Sequence, residues 1–104
     1  MNKKIVILIA KSVAFYSHQD EEAFLNWIKA IKSIKMIDYQ GSEMHIYIKS
    51  NRISDKDLNN LLALFFRYKI KMNQLSVFLN DANKEWFFDQ SKMYWHKKIF
   101  SKNN

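Results

Sequence analysis

The 104-residue sequence contains no cysteine, no proline and a single glycine, Gly41. The lack of cysteine excludes a disulfide framework, a zinc–thiolate site and a cysteine nucleophile, and it fits a reducing compartment. One glycine cannot build the phosphate-binding loops of nucleotide-binding proteins. The lack of proline argues against a long flexible linker. We therefore predict one domain over residues 1–104, with no cofactor and no metal.

Long hydrophobic runs are also missing. The apolar run near the N-terminus, residues 5–10, has six residues and ends at Lys11. A secretion signal needs about 7–15 apolar residues followed by a small-residue cleavage site, and a membrane-spanning helix needs about 18. We predict a soluble, cytoplasmic protein with no membrane partner.

Positive charge is in excess and unevenly distributed. The formal charge is +7, and residues 50–104 carry ten Lys or Arg against five acids. A basic surface attracts an acidic partner, which could be nucleic acid, anionic lipid or an acidic protein. Solubility alone is an alternative explanation, because net charges of about 2–8 are ordinary for small domains.

Four stretches have the composition of β-strands. Residues 4–10 form a continuous β-branched and apolar run, which predicts a central strand that is buried on both faces or nearly so. Residues 35–39 and 43–49 flank Gly41 and predict a hairpin. The alternation of apolar residues over 75–79 predicts a last strand.

Helical periodicity predicts helices over residues 18–32 and 55–69. A serine followed three residues later by an aspartate caps each of them. A short helix is expected over about residues 82–89, and residues 92–100 are either helical or irregular. The order β-α-β-β-α-β-α predicts an α+β, ferredoxin-like sandwich with an extra C-terminal helical segment.

No catalytic constellation is evident. His18, His45 and His96 are far apart in sequence and follow no metal-ligand spacing, whereas a zinc site needs three or four converging ligands. A ribonuclease-like pair of His18 and His96 would be an alternative, but no pattern brings them together. The paired acids lie at helix starts, where capping explains them. We predict by elimination that the protein is not an enzyme.

Aromatic and basic residues are the main candidates for binding. His45 and Tyr47 alternate on a predicted strand, where nucleic-acid-binding relatives of this fold stack bases, although the RNP1 glycines are absent. The aromatic residues between Trp86 and Phe100 cannot all face water, so they either join the core or anchor a partner. The predicted partner-binding residues are Tyr47, Arg67, Lys69, Lys71, Trp86, Lys92, Tyr94, Trp95, His96, Lys97 and Lys98.

Three stretches resemble a known family. They are Y-S-H-Q-D-E-E-A-F at residues 16–24, the helix-rich stretch 54–75, and N-K-E-W-F-F-D with Y-W-H-K-K-I-F within 83–100. They are similar to immunity proteins of bacterial contact-dependent growth inhibition systems. The resemblance implies a non-enzymatic cytoplasmic inhibitor that binds and neutralises the C-terminal toxin domain, often a tRNA-cleaving nuclease. We expect a one-to-one complex and no obligate oligomer.

The basic charge departs from that family pattern. Immunity proteins against nucleases are commonly acidic and mimic the phosphates of the substrate, whereas this chain carries +7. We therefore expect an acidic or apolar surface on the toxin, or inhibition without phosphate mimicry. The alternative function is a small basic nucleic-acid-binding domain that uses the C-terminal half of the chain.

Overall fold

One face of a three-stranded antiparallel sheet packs on helices in this α+β protein. The structure is a computed structural model that describes residues 4–101. In chain order the elements are β1 (Val6–Lys11), α1 (His18–Ala30), β2 (Ile34–Gln40), β3 (Glu43–Ile48), α2 (Asp55–Arg67), a 3-10 helix (Met72–Phe78), α3 (Lys84–Phe87) and α4 (His96–Phe100). Within residues 4–101, no helix combines the length and the apolar character needed to cross a bilayer.

Strand β3 is central in the sheet, and β1 and β2 are the two edges. Leu8 and Ala10 of β1 are buried, whereas Ile7 and Ile9 are 48% and 39% exposed. The prediction of a central strand buried on both faces is therefore wrong for β1. The physical reason is that its outward-facing isoleucines lie on a sheet face that no described element fills, so an unbroken apolar run does not imply burial on both sides.

Residues 75–79, predicted to be a strand, belong mostly to the 3-10 helix. The buried residues of that helix are Met72, Leu75 and Phe78, which repeat every three residues as a 3-10 helix requires. Val77 remains 43% exposed. The sequence alternation over five residues was compatible with both periods, and packing selected the period of three.

The side chain of Gln74 closes part of the sheet edge where a fourth strand was predicted. Its Nε2 donates to the Ile9 carbonyl oxygen at 2.9 Å, and its Oε1 accepts from the Ile9 N–H at 2.8 Å. The carboxamide of Gln74 thus makes the two backbone hydrogen bonds that a residue of a neighbouring strand would make with Ile9. The structure has an α+β fold, but residues 4–101 do not complete the four-stranded ferredoxin-like sheet.

Both long helices begin at the predicted serine caps. Ser17 Oγ accepts from the Asp20 N–H at 3.0 Å, and Ser54 Oγ accepts from the Asp57 N–H at 3.1 Å. Each helix ends two residues earlier than predicted, at Ala30 and Arg67. The predicted helix over residues 82–89 is shorter than expected, and α4 accounts for the second half of the segment 92–100.

A continuous hydrophobic cluster joins the sheet to the helices. Its largest fully buried side chains are Phe24, Phe65, Phe78 and Phe87, each 0% exposed. Asp57, at the start of α2, is also buried, and its carboxylate accepts hydrogen bonds from both the N–H and the hydroxyl of Ser33. These bonds hold the start of α2 against the turn that leads into β2.

Candidate partner-binding groove

A broad surface groove of about 1200 Å³ lies beside the C-terminal end of α2. Its lining combines an aliphatic and aromatic floor with four basic side chains. We call this feature the basic groove. Its basic residues are Arg67, Lys69, Lys71 and Lys98, and the rest of its lining is Trp27, Ala63, Phe65, Phe66, Ile70, Met72, Asn73 and Tyr94.

The way in which α2 ends creates one side of the groove. The Ile70 N–H donates to the Phe65 carbonyl oxygen at 2.9 Å, and the Lys69 N–H donates to the Phe66 carbonyl oxygen at 3.3 Å. These two bonds define a Schellman motif with Tyr68 as the C-cap. The motif needs a left-handed residue, which is usually glycine, but here Lys69 takes that conformation with a φ of 58°.

Two half-exposed rings form the aromatic part of the groove. The ring centroids of Phe66 and Tyr94 are 4.7 Å apart in an edge-to-face arrangement, and the rings are 45% and 44% exposed. Lys98 Nζ lies 5.9 Å from the Phe66 centroid, within reach of a cation–π interaction. Partial burial raises the pKa of Tyr94 above its ordinary value of 10.0, so its hydroxyl is a neutral hydrogen-bond donor at physiological pH.

The positive charge of the groove is not neutralised by any carboxylate that the structure describes. None of its four basic side chains comes within 4 Å of an acid in residues 4–101, and no Asp or Glu lines the groove. Elsewhere, Lys11 pairs with Glu43 at 3.7 Å and Lys84 pairs with Asp89 at 3.2 Å. All four basic residues of the groove are exposed. Because no described acid pairs with them, these cations are available to form charge pairs with an acidic ligand.

The structure brings five of the eleven predicted partner-binding residues together. The five that line the groove are Arg67, Lys69, Lys71, Tyr94 and Lys98. Lys92 and Lys97 are exposed but do not contribute to the lining. Tyr47 lies on β3, in register with Ile7 and Met36, on the sheet face opposite the core. The remaining three are aromatic residues near the C-terminus.

Those three residues are engaged in internal contacts. Trp95 is 2% exposed and its Nε1 donates to the Phe87 carbonyl oxygen at 3.0 Å, so this predicted anchor belongs to the core. His96 Nε2 donates to the Phe88 carbonyl oxygen at 2.7 Å. Trp86 is half-buried, and its Nε1 has no hydrogen-bond partner among residues 4–101. Burial explains the correction for Trp95, because a ring that fills the core has no surface to offer a partner.

Sequence reasoning missed Phe66, which is the most exposed apolar side chain of α2. The buried stripe of that helix includes Leu58, Leu61, Leu62 and Phe65. Phe66 falls off this stripe, on the side that would ordinarily be polar. A large ring on the polar side of an amphipathic helix is the signal that could have identified the groove.

The three histidines have different surroundings. His18 lies 3.9 Å from Glu22, and His45 lies 3.0 Å from Glu43, whereas His96 contacts a carbonyl oxygen in the C-terminal segment. The hydrogen bond from His45 holds the pKa of Glu43 below its ordinary value of 4.5. Within residues 4–101, no three His, Cys, Asp or Glu side chains gather in a way that could hold a metal ion.

A comparison of the chain with models of protein families, with curated proteins and with solved structures found no match. No relative therefore supplies a function.

Proposed function

We propose that the protein is an immunity protein that binds and neutralises the toxin domain of a contact-dependent growth inhibition system in the cytoplasm. The observation that carries this proposal is which stretches of the sequence form the groove. Two of the three stretches that resemble such immunity proteins, residues 54–75 and 83–100, meet there: the first contributes Phe66, and the second contributes Tyr94 and Lys98.

The surface chemistry suits a protein partner. Protein interfaces concentrate their binding energy in a few aromatic and basic side chains near the centre of the contact. Phe66 and Tyr94 offer half-exposed rings, and four unpaired cations surround them. A standard interface covers about 800 Å² on each partner, so the toxin would extend beyond the groove itself.

We also propose that the fold of this protein is related to the ferredoxin-like sandwich. The strand order β1-β3-β2 with antiparallel neighbours is that of a split β-α-β unit. The 3-10 helix would then stand where the fourth strand runs in that fold.

Growth protection tests the proposed function. The proposal predicts that a gene beside this reading frame encodes the toxin domain. That domain is expressed with the wild-type protein, with Arg67→Glu/Lys71→Glu, or with the control Lys35→Glu/Lys49→Glu, whose exposed lysines lie outside the groove. We expect the wild type and the control to restore growth and to co-purify with the toxin, and the groove variant to do neither. If the wild-type protein neither protects cells nor binds the toxin, the proposal is wrong.

A nucleic-acid-binding domain is the second candidate, and the unpaired cations of the groove are the observation that favours it. Labelled single-stranded RNA should then shift in a gel, and log K should fall with log salt by about 0.7 for each phosphate contact. The Arg67→Glu/Lys71→Glu variant should abolish the shift. A wild-type protein that shifts no RNA at low salt would contradict this candidate.

A further inference from the structure

We propose that the basic groove binds an acidic segment of a partner protein that inserts one apolar or aromatic side chain as its anchor. The proposal rests on the proposed function, since the segment would belong to the toxin domain. It adds the chemistry of the ligand, the place where it binds and a role for the strained backbone at Lys69.

The positive charge of the groove determines that the ligand is negatively charged. Four exposed cations surround the groove, none is paired with an acid in residues 4–101, and the lining contains no carboxylate. A second copy of this chain would bring its own net charge of +7, which opposes self-association through this surface. A run of carboxylates would instead pair with several cations at once.

The floor of the groove indicates that the ligand also carries an apolar side chain. Ala63, Met72 and the ring of Trp27 line it together with the two half-exposed rings. Trp27 is held in place because its Nε1 donates to Asn60 Oδ1 at 3.0 Å. A phosphate backbone would leave this apolar surface unused, whereas a side chain from a peptide would cover it.

The ring geometry favours a peptide over RNA. Proteins that bind single strands stack bases on free ring faces. Here Lys98 Nζ lies over the Phe66 ring, and the Tyr94 ring packs edge-to-face both on Phe66 and on Trp95, with the latter centroids 5.0 Å apart. The rings are thus already engaged with one another and with a cation, and they present an apolar wall for a side chain to pack against.

Lys69 adds an independent observation. Its left-handed backbone, φ 58°, is costly for any residue with a Cβ, and glycine would fit there without strain. Such strained positions concentrate at functional sites. Glycine would remove the ammonium group from the groove, so we infer that lysine occupies this position because its charge contacts the ligand.

Fluorescence anisotropy with defined probes tests the inference. The main probe is a labelled peptide in which glutamates flank one central phenylalanine. The comparison probes replace the glutamates with glutamine or the phenylalanine with alanine, and a labelled single-stranded RNA serves as the competing class. The groove variant is Arg67→Gln/Lys69→Gln/Lys71→Gln. The matched control, Lys4→Gln/Lys35→Gln/Lys49→Gln, removes the same charge from exposed positions outside the groove.

We expect the acidic phenylalanine peptide to bind the wild-type protein, with affinity that falls as salt rises. The groove variant should bind it about tenfold more weakly, which corresponds to about 1.4 kcal/mol, and the control should stay within about twofold of the wild type, or about 0.4 kcal/mol. Both altered peptides should bind more weakly than the parent. Circular dichroism and thermal melting of the two triple variants would confirm that both are folded.

Three outcomes would overturn the inference. One is no binding of the acidic peptide even at low salt, and another is an equal loss in both triple variants, which would reflect net charge alone. The third is tighter binding of RNA than of the peptide with the same dependence on the groove. Growth protection reports separately on the proposed function: a groove triple variant that loses the peptide but still protects cells refutes the ligand assignment alone.

Discussion

Replacing Lys69 with glycine should stabilise the protein, because the backbone at this position has a φ of 58°. A residue with a Cβ loses about 1–2 kcal/mol in the left-handed conformation. Glycine recovers that energy but forfeits about 0.5–1 kcal/mol, since its unfolded chain is more flexible. The expected net gain is about 0.5–1 kcal/mol, equivalent to a rise in Tm of roughly 2–8 °C for a domain of this size. The two Schellman bonds are made by backbone atoms, so the substitution leaves them intact.

Urea denaturation followed by circular dichroism measures this gain, with an unchanged m-value as evidence that stability changed while the compactness of the native and unfolded states did not. Ser12 provides a matched control, because it is also left-handed, with a φ of 52°, and lies outside the groove. Ser12→Gly should therefore give a gain of the same sign. Lys29→Gly, in the last turn of α1, should instead destabilise by about 1 kcal/mol, the ordinary cost of glycine in a helix.

Backbone strain at Lys69 would be refuted as the dominant effect if Lys69→Gly left the free energy of unfolding unchanged or lowered it while Ser12→Gly raised it. That result would mean that packing of the Lys69 side chain outweighs the strain of its backbone. Binding should change in the opposite direction: the more stable Lys69→Gly protein should bind the acidic peptide more weakly than the wild type, since it lacks one cation of the groove.

Three further predictions concern the core and the open sheet face. Trp95→Phe should destabilise by about 1–3 kcal/mol in a urea titration, because it leaves the buried carbonyl oxygen of Phe87 without its donor. Asp57→Ala should cost a similar amount, about 1–3 kcal/mol, since the Ser33 N–H and hydroxyl both lose their acceptor; an unaltered unfolding midpoint would show that water replaces the carboxylate. The pKa of Glu43 lies below 4.5 in the folded state, so its contribution to stability is complete above pH 4.5 and disappears as the pH falls through the lowered pKa. Glu43→Gln should remove that part of the acid dependence, and an identical pH profile would contradict the assignment.

Local chemistry predicted the elements whose start and period are encoded in neighbouring residues. The caps at Ser17 and Ser54 mark the starts of α1 and α2, because a hydroxyl three residues before a backbone N–H can satisfy it without help from the rest of the protein. The hairpin of β2 and β3 follows from alternation around Gly41, whose φ of 63° suits a glycine. These features need only a few consecutive residues.

Predictions that depend on contacts between residues distant in sequence were less accurate. The isoleucines of β1 could have been buried on one face or on both, and only the exposure of Ile7 and Ile9 in the folded protein shows that one sheet face stays open. The stretch 75–79 has apolar residues compatible with a period of two or three, and only the packing of residues 72–78 as a 3-10 helix distinguishes the two periods. Arg67 and Lys69 were predicted to bind a partner from composition alone, without knowledge of where they meet Tyr94.

The basic charge, the aromatic content and the absence of cysteine are properties of the chain itself, and from the charge alone the sequence predicts an acidic partner. Only the tertiary structure decided which aromatic rings are exposed to a partner. Trp95 fills the core, whereas Tyr94, its neighbour in sequence, is 44% exposed in the groove. The reason is geometric. Adjacent residues in a turn point in different directions, so burial of one and exposure of the next depend on what packs against the turn and not on the identity of the ring.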